Sequence, residues 1–217
     1  MGLNRGIFIT FEGIEGSGKS TQIKLLYKFL KANVSKKIYL TREPGGTKIS
    51  EKIRKLVIKD LNEENNPLTE LFLLFAARAE HYDLIKEKLR SGYIVLCDRY
   101  LDSTIAYQHF NGSIDLKLIH YLQKLIDKNI RPNLTILLDA NPSVSKKRMH
   151  LRAKKLDRFD RESLKKMNII KKGFLAIAKV EKKRIFVING NADLDLIHDK
   201  IKSKVLKSLI KWAKLKI

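Results

Sequence analysis

Gly13-Ile14-Glu15-Gly16-Ser17-Gly18-Lys19-Ser20 fits the pattern G-x-x-x-x-G-K-[ST] at every fixed position. The run before it, Ile7-Phe8-Ile9-Thr10-Phe11, is β-branched and aromatic and reads as a buried strand. The run after it, Thr21-Gln22-Ile23-Lys24-Leu25-Leu26, has helical spacing. A strand that delivers a glycine-rich loop to a helix N-terminus aims backbone N–H groups and the positive end of the helix dipole at a polyphosphate. Gly13 to Thr21 is therefore the expected cradle of a nucleoside triphosphate. Lys19 would reach the β- and γ-phosphates, and Ser20 would offer its hydroxyl to Mg²⁺.

The chain has 217 residues, enough for one α/β domain with a sizeable core. No apolar run approaches the ~18 residues needed to span a bilayer, and Met1 to Gly6 lacks a signal-peptide pattern. Cys97 is the only cysteine, which excludes an internal disulfide and suits a reducing cytoplasm. The histidines are scattered without metal-ligand spacing. A cytoplasmic, non-membrane protein is expected. The formal net charge of +22 raises the question of nucleic acid. Lysine carries most of the excess and is spread along the chain, with no arm or patch. A solvated lysine surface with small anionic substrates accounts for it, and no specific nucleic-acid partner is expected.

Strand-like and helix-like segments alternate with short connectors, the pattern of a parallel sheet covered on both faces. Strands are expected at Ile7–Phe11, Lys37–Leu40, Tyr93–Cys97, Leu134–Leu138 and Ile185–Ile188. Helices are expected from Lys48 to about Lys59, from Pro67 to about Arg90, from near Ser103, from Asp115 to Lys128, from Pro142, up to about Val180, and from Asp193 to about Lys214. The expected architecture is a three-layer P-loop NTPase fold, a five-stranded parallel sheet with helices on both faces. It is read as one domain over 1–217. Ligands of such sheets bind beyond the carboxyl ends of the strands. Arg42, Asp98, Arg99 and Asp139 stand at those ends.

Each of these residue types has a chemical use there. Arg42, on a glycine-flexible loop, can clamp a phosphate bidentately. Asp98 and Asp139 both end apolar strands and compete for the role of orienting Mg²⁺; Asp98 is favoured because Arg99, Ser103, Tyr107 and Gln108 lie beside it. Cys97 reads as a small buried hydrophobe. Arg148, Arg152, Lys154, Lys155, Arg158 and Arg161 crowd one charged segment. The phosphate-binding loop has no arginine of its own, so cations that neutralise a phosphoryl-transfer transition state would come from this segment.

Taken in order, six blocks resemble the motif set of the thymidylate kinases, bacterial type. They are Gly13 to Ser20, Thr41-Arg42-Glu43-Pro44-Gly45-Gly46-Thr47, Ala76-Ala77-Arg78, Asp98-Arg99-Tyr100, Ser103-Thr104-Ile105-Ala106-Tyr107-Gln108 and Leu156-Asp157-Arg158-Phe159. The resemblance covers essentially the whole chain. It implies transfer of the γ-phosphoryl of ATP to dTMP, with Mg²⁺, giving dTDP and ADP for dTTP synthesis. It also implies that Glu15 contacts the deoxyribose 3′-hydroxyl, that Arg42 and Arg99 hold the acceptor phosphate, and that Asp98 organises Mg²⁺. Arg78, Thr104 and Gln108 would face the thymine edge, with Ser103 beside them. Tyr107 would crowd the 2′ position, and Arg148 would pack on adenine. A lid near 148–161 would supply the catalytic cation through Arg152 or Arg158, and the resemblance further implies a homodimer. One position departs from the family pattern. Where a phenylalanine usually stacks on thymine, four residues before the helix arginine, this chain has Leu74, with Phe75 next to it and Phe72 a turn earlier; either Leu74 gives a weaker apolar platform or Phe75 substitutes, and both phenylalanines also suit the core.

Two other readings stay open at this level. A different nucleoside monophosphate or deoxynucleoside kinase would share the loop but would leave Arg42 to Thr47 and Tyr107 without a role. A nucleic-acid-stimulated ATPase or polyanion-binding module would use the charge, but the chain shows no basic groove interleaved with aromatics.

Overall fold

The computed structural model describes residues 6–61, 65–126, 130–151 and 158–213. Five strands form one parallel sheet: β1 (Ile7–Glu12), β2 (Ile38–Arg42), β3 (Ile94–Asp98), β4 (Leu134–Asp139) and β5 (Ile185–Asn189), in the order β2-β3-β1-β4-β5. Eight helices connect and cover it among the described residues. They are α1 (Lys19–Asn33), α2 (Lys48–Lys55), α3 (Pro67–Arg90), α4 (Leu101–Thr104), α5 (Leu116–Ile126), α6 (Pro142–Leu151), α7 (Leu164–Val180) and α8 (Leu194–Ala213). Two π-helical turns, Leu56–Asp60 and Ile105–Phe110, extend α2 and α4. The expected α/β architecture is what the chain adopts. The strands run one or two residues further at their carboxyl ends than the apolar runs suggested, because Glu12, Arg42 and Asp98 keep ladder geometry while their side chains turn to the site.

β1 is buried along its whole length, since it lies mid-sheet with helices on both faces. Alternation splits its side chains. Ile7, Ile9 and Phe11 join Leu26 and Leu30 of α1 and Ile201 and Val205 of α8, whereas Phe8 packs with Val95, Ile85 and Tyr100 on the other face. The chain passes from β3 on one side of β1 to β4 on the other, so the crevice opens at the carboxyl end of β1. Thr47, Asn66 and Ser163 cap α2, α3 and α7 with side-chain oxygens, and Pro67 takes the first position of α3. α1 is different: its N-cap is Gly18 at φ 98°, with no side-chain cap. Its first N–H groups face the loop, where an anion can satisfy them.

A buried polar network ties the sheet to α4. Arg184, just before β5, grips Asp102 bidentately at 2.7 and 2.9 Å and donates to Thr135 Oγ1, which in turn meets Thr10 Oγ1 at 2.7 Å. Asp102→Ala leaves this guanidinium with Thr135 and a longer contact to Glu181 alone, so a loss of about 3 kcal/mol is expected in urea unfolding. A loss below about 1 kcal/mol would mean that water already shares the pair.

Candidate active site

Two cavities adjoin at the carboxyl end of the sheet. The first is lined by Pro44, Ile58, Leu74, Arg78, Tyr107, Gln108 and Phe159, the second by Lys19, Ser20, Arg42, Gly46 and Asp98; Glu15, Glu43, Arg54 and Arg99 line both. The second holds the glycine-rich loop. Gly13, Gly16 and Gly18 all have positive φ. Gly16 passes so close to α6 that a Cβ would meet Ser145 O at 2.4 Å, while a Cβ on Gly18 would enter open space. Lys19 donates to the carbonyls of Gly13 (2.9 Å) and Ile14 (2.8 Å) and is nearly enclosed. Burial, then the charge of Arg99, lowers its pKa to about 8, against the pull of Asp98 and Glu15.

Ser20 Oγ donates to Asp98 Oδ2 at 2.7 Å. The hydroxyl and the carboxylate form a hard oxygen pair at the loop mouth, a donor set that fits Mg²⁺. Asp139, the rival, is ion-paired with Lys171 at 2.9 Å on α7. Arg42 stands at the rim, about half exposed, bonded to Glu51 at 2.8 Å. Arg148 donates to Gly190 O at 2.7 Å, from α6 beside the loop.

On the wall between the cavities, Arg99 Nη2 bonds Glu15 Oε1 at 2.5 Å and Nη1 bonds Ser103 Oγ at 2.9 Å; Tyr107 donates its hydroxyl to Glu15 Oε2. Burial and the Glu15 carboxylate push the Tyr107 phenol well above its usual range, so it stays a donor. Arg99 has φ 72°, a left-handed backbone that costs a non-glycine residue roughly 1–3 kcal/mol. Neighbours hold it there: its N–H bonds Phe11 O, and Tyr100 N–H bonds Glu12 Oε1 at 2.7 Å. Glu12, fully buried, also accepts from Ser103 Oγ at 2.5 Å. Burial first, and then Asp102, raise its pKa to about 8.

The first cavity has the character of a base pocket. Glu70, Leu74 and Arg78 follow one another at i, i+4 and i+8, one stripe of α3 about 12 Å long. Arg78 is 3% exposed; Nε bonds Glu43 Oε2 at 2.8 Å, Nη2 bonds Thr104 Oγ1 at 2.9 Å, and the guanidinium lies over the rings of Phe75 and Tyr100. Burial opposes the charge on Glu43, yet the guanidinium of Arg78 and the bond from His81 hold its carboxyl below the usual range. His81 spans from Glu43 to Thr41 Oγ1 (2.7 Å), fixing the Arg42 loop to α3.

The structure thus brings together Glu15, Lys19, Ser20, Asp98, Arg99, Ser103 and Tyr107, and beside them Leu74, Arg78, Thr104 and Gln108. It does not bring Phe75 to the pocket. That ring is buried against Leu71, Ile105 and Ile119, because it faces α5 one residue round from the Leu74 stripe. Phe72 is on the surface. The aromatic wall is instead Phe159, edge-on to Tyr107 at 5.8 Å. Arg158 pairs with Glu70 at 2.7 Å. Arg152 lies outside the described residues. Sequence reasoning missed Glu12, Glu70, His81 and the pairing role of Glu43. Spacing on α3 carried a signal for Glu70, eight residues before Arg78; no local signal marks Glu12 as buried.

The thymidylate kinase family model matches residues 11–201. The chain is 45% identical over 194 residues to the thymidylate kinase of Sulfurihydrogenibium sp. (strain YO3AOP1), covering 89% of this chain and 93% of that one. It is 43% identical over 197 residues to the thymidylate kinase of Geotalea daltonii, covering 88% and 92%. The crystal structure of thymidylate kinase from Ehrlichia chaffeensis superposes with a TM-score of 0.75 at 32% identity, over 93% of this chain and 99% of that one.

The Glu12 carboxyl gives a pH signature. Its folded pKa, about 8, is above the ordinary 4.5, so between these values the folded state holds a proton that the unfolded state releases. Stability through this group therefore falls as pH rises across that window. Lys19 acts only above about pH 8. Glu12→Gln mimics the neutral acid and should flatten the decline in urea midpoint between pH 5.5 and 7.5. Equal slopes in the two proteins would show that Glu12 is ionised throughout.

Proposed function

The chain belongs to the thymidylate kinase family, the enzymes that phosphorylate dTMP to dTDP for dTTP synthesis, and from that premise we propose how its own residues divide the work. The observation that carries the assignment is the shared wall: Glu15 and Arg99 border both cavities, so donor and acceptor meet at one ion pair.

The loop from Gly13 to Thr21 holds the ATP phosphates through its N–H groups and the free start of α1, with Lys19 on the β- and γ-phosphates and Arg148 beside the adenine. Ser20 and Asp98 hold Mg²⁺, which supplies positive charge to the phosphate oxygens when bound. Arg42 and Arg99 fix the phosphate of dTMP in line with the γ-phosphoryl group. Glu15, oriented by Arg99 and Tyr107, accepts from the sugar 3′-hydroxyl, and the Tyr107 ring fills the space a 2′-hydroxyl would need. Arg78 and Thr104 donate to the carbonyl edge of thymine, with Leu74 and Phe159 as apolar walls and Ser103 supporting Arg99. No covalent step falls to the protein. Its contribution is positioning and charge. The lid near 148–161 closes the single domain, and its arginines, Arg152 and Arg158, are the source of transition-state charge, worth about 10³–10⁵ in rate.

A homodimer in the cytoplasm completes the proposal. Exposed apolar pairs one helical turn apart, Leu68 with Phe72 on α3 and Tyr121 with Leu125 on α5, support the dimer. Among the described residues no helix is long and apolar enough to cross a membrane. Sedimentation and cell fractionation check both points.

Purified enzyme with ATP and Mg²⁺ should phosphorylate dTMP faster than UMP, CMP or AMP. Lys19→Ala should cut kcat by roughly 10²–10³-fold or more while the fold persists. A faster ribonucleotide acceptor, or near-normal turnover of the variant, would break the assignment.

A further inference from the structure

Gln108 lines the base cavity and is 8% exposed. A carboxamide has two ends of opposite character, and nothing in its shape tells which end faces a ligand. Here a neighbour decides. Glu70 Oε1 accepts from Gln108 Nε2 at 3.0 Å, and Glu70 Oε2 accepts from Arg158 Nη2 at 2.7 Å. A carboxylate can only accept, so rotating the amide by 180° would set two acceptor oxygens against each other. Gln108 Oε1 is thereby held away from Glu70. Among the described residues it is buried without a hydrogen-bond partner.

We propose that Glu70 is a positioning residue for base specificity: it locks the Gln108 amide so that the pocket presents an acceptor opposite N3, which a base protonated at N3 satisfies. The proposal rests on the base-pocket assignment above. A 4-keto pyrimidine carries a proton on N3 and meets Oε1 as a donor. A 4-amino pyrimidine carries a lone pair on N3, which faces another lone pair and leaves Oε1 desolvated and unpaired. A site built around a buried polar group rejects the mismatched ligand far more strongly than an apolar wall does. Arg158 holds the other oxygen of the same carboxylate. The same carboxylate therefore joins the lid to the base pocket.

The ratio of kcat/KM for dTMP over dCMP reads this lock directly. Glu70→Gln offers Gln108 both a donor and an acceptor, so the amide can turn. The ratio should fall about tenfold or more, mainly through a higher KM for dTMP, with the melting temperature as the control for folding. Glu70→Ala removes the acceptor altogether and should move the ratio the same way. Arg158→Ala keeps the Glu70–Gln108 bond and should lower kcat with the ratio held. Gln108→Ala sets the limit of full loss. If Gln108→Ala leaves the ratio unchanged, the base-pocket assignment is wrong. If it collapses the ratio while both Glu70 variants leave it intact, or if Arg158→Ala reproduces their shift, the Glu70 proposal alone is overturned.

Discussion

A guanidinium withdrawn from water needs a carboxylate within reach, and this site obeys that requirement at each of its buried arginines. Arg78 is matched by Glu43, Arg99 by Glu15, Arg158 by Glu70, and Arg184, behind the site, by Asp102. Removing one partner from such a pair is costly because the other is left charged and dry. The arrangement also fixes direction. Once a carboxylate engages part of an arginine's fork, the remaining N–H groups can point in few ways, and in Arg78 they point to Thr104 and Gln123. Charge pairing here sets geometry more than it adds stability.

Strain is concentrated at the same point. Arg99 keeps a left-handed backbone directly after β3, and the groups that hold it there come from β1, through Phe11 O and the Glu12 carboxyl. The central strand therefore shapes the loop that carries Arg99. Glu12 needs no contact with any ligand to matter.

Much of this was legible before any coordinates. The phosphate-binding loop, the five apolar runs and the alternation of elements specify the sheet, since each depends on local pattern. Arg42, Arg78, Asp98 and the Ser103–Gln108 block fall at strand ends or on helices adjoining the crevice, where topology places ligands. What stayed hidden depends on pairing across sequence. Glu70 is a plain acidic residue at a helix start until Gln108 and Arg158 arrive beside it. Of Leu74 and Phe75, neighbours that local pattern does not separate, only Leu74 lines the cavity, because a rotation of one residue on a helix, about 100°, sends Phe75 into the core. Phe159 stood in a charged segment and gave no sign that its ring would wall the pocket. The charge of +22 likewise has little counterpart in the site itself, where Arg42, Arg78, Arg99 and Arg158 are each paired with a carboxylate.

The bonds that define the pocket span long stretches of chain: 84 residues from Glu15 to Arg99, 88 from Glu70 to Arg158, 91 from Glu12 to Ser103. Each closes a loop whose entropy must be lost before the contact is gained, so such contacts form late in folding and nearly together. No excised segment carries a partial version of the pocket. A chain emerging in order from its N-terminus has its glycine-rich loop early but completes the cavity beside Arg78 only when Arg158 and Phe159, just before α7, reach it. Selectivity and foldedness are, for this molecule, one cooperative event.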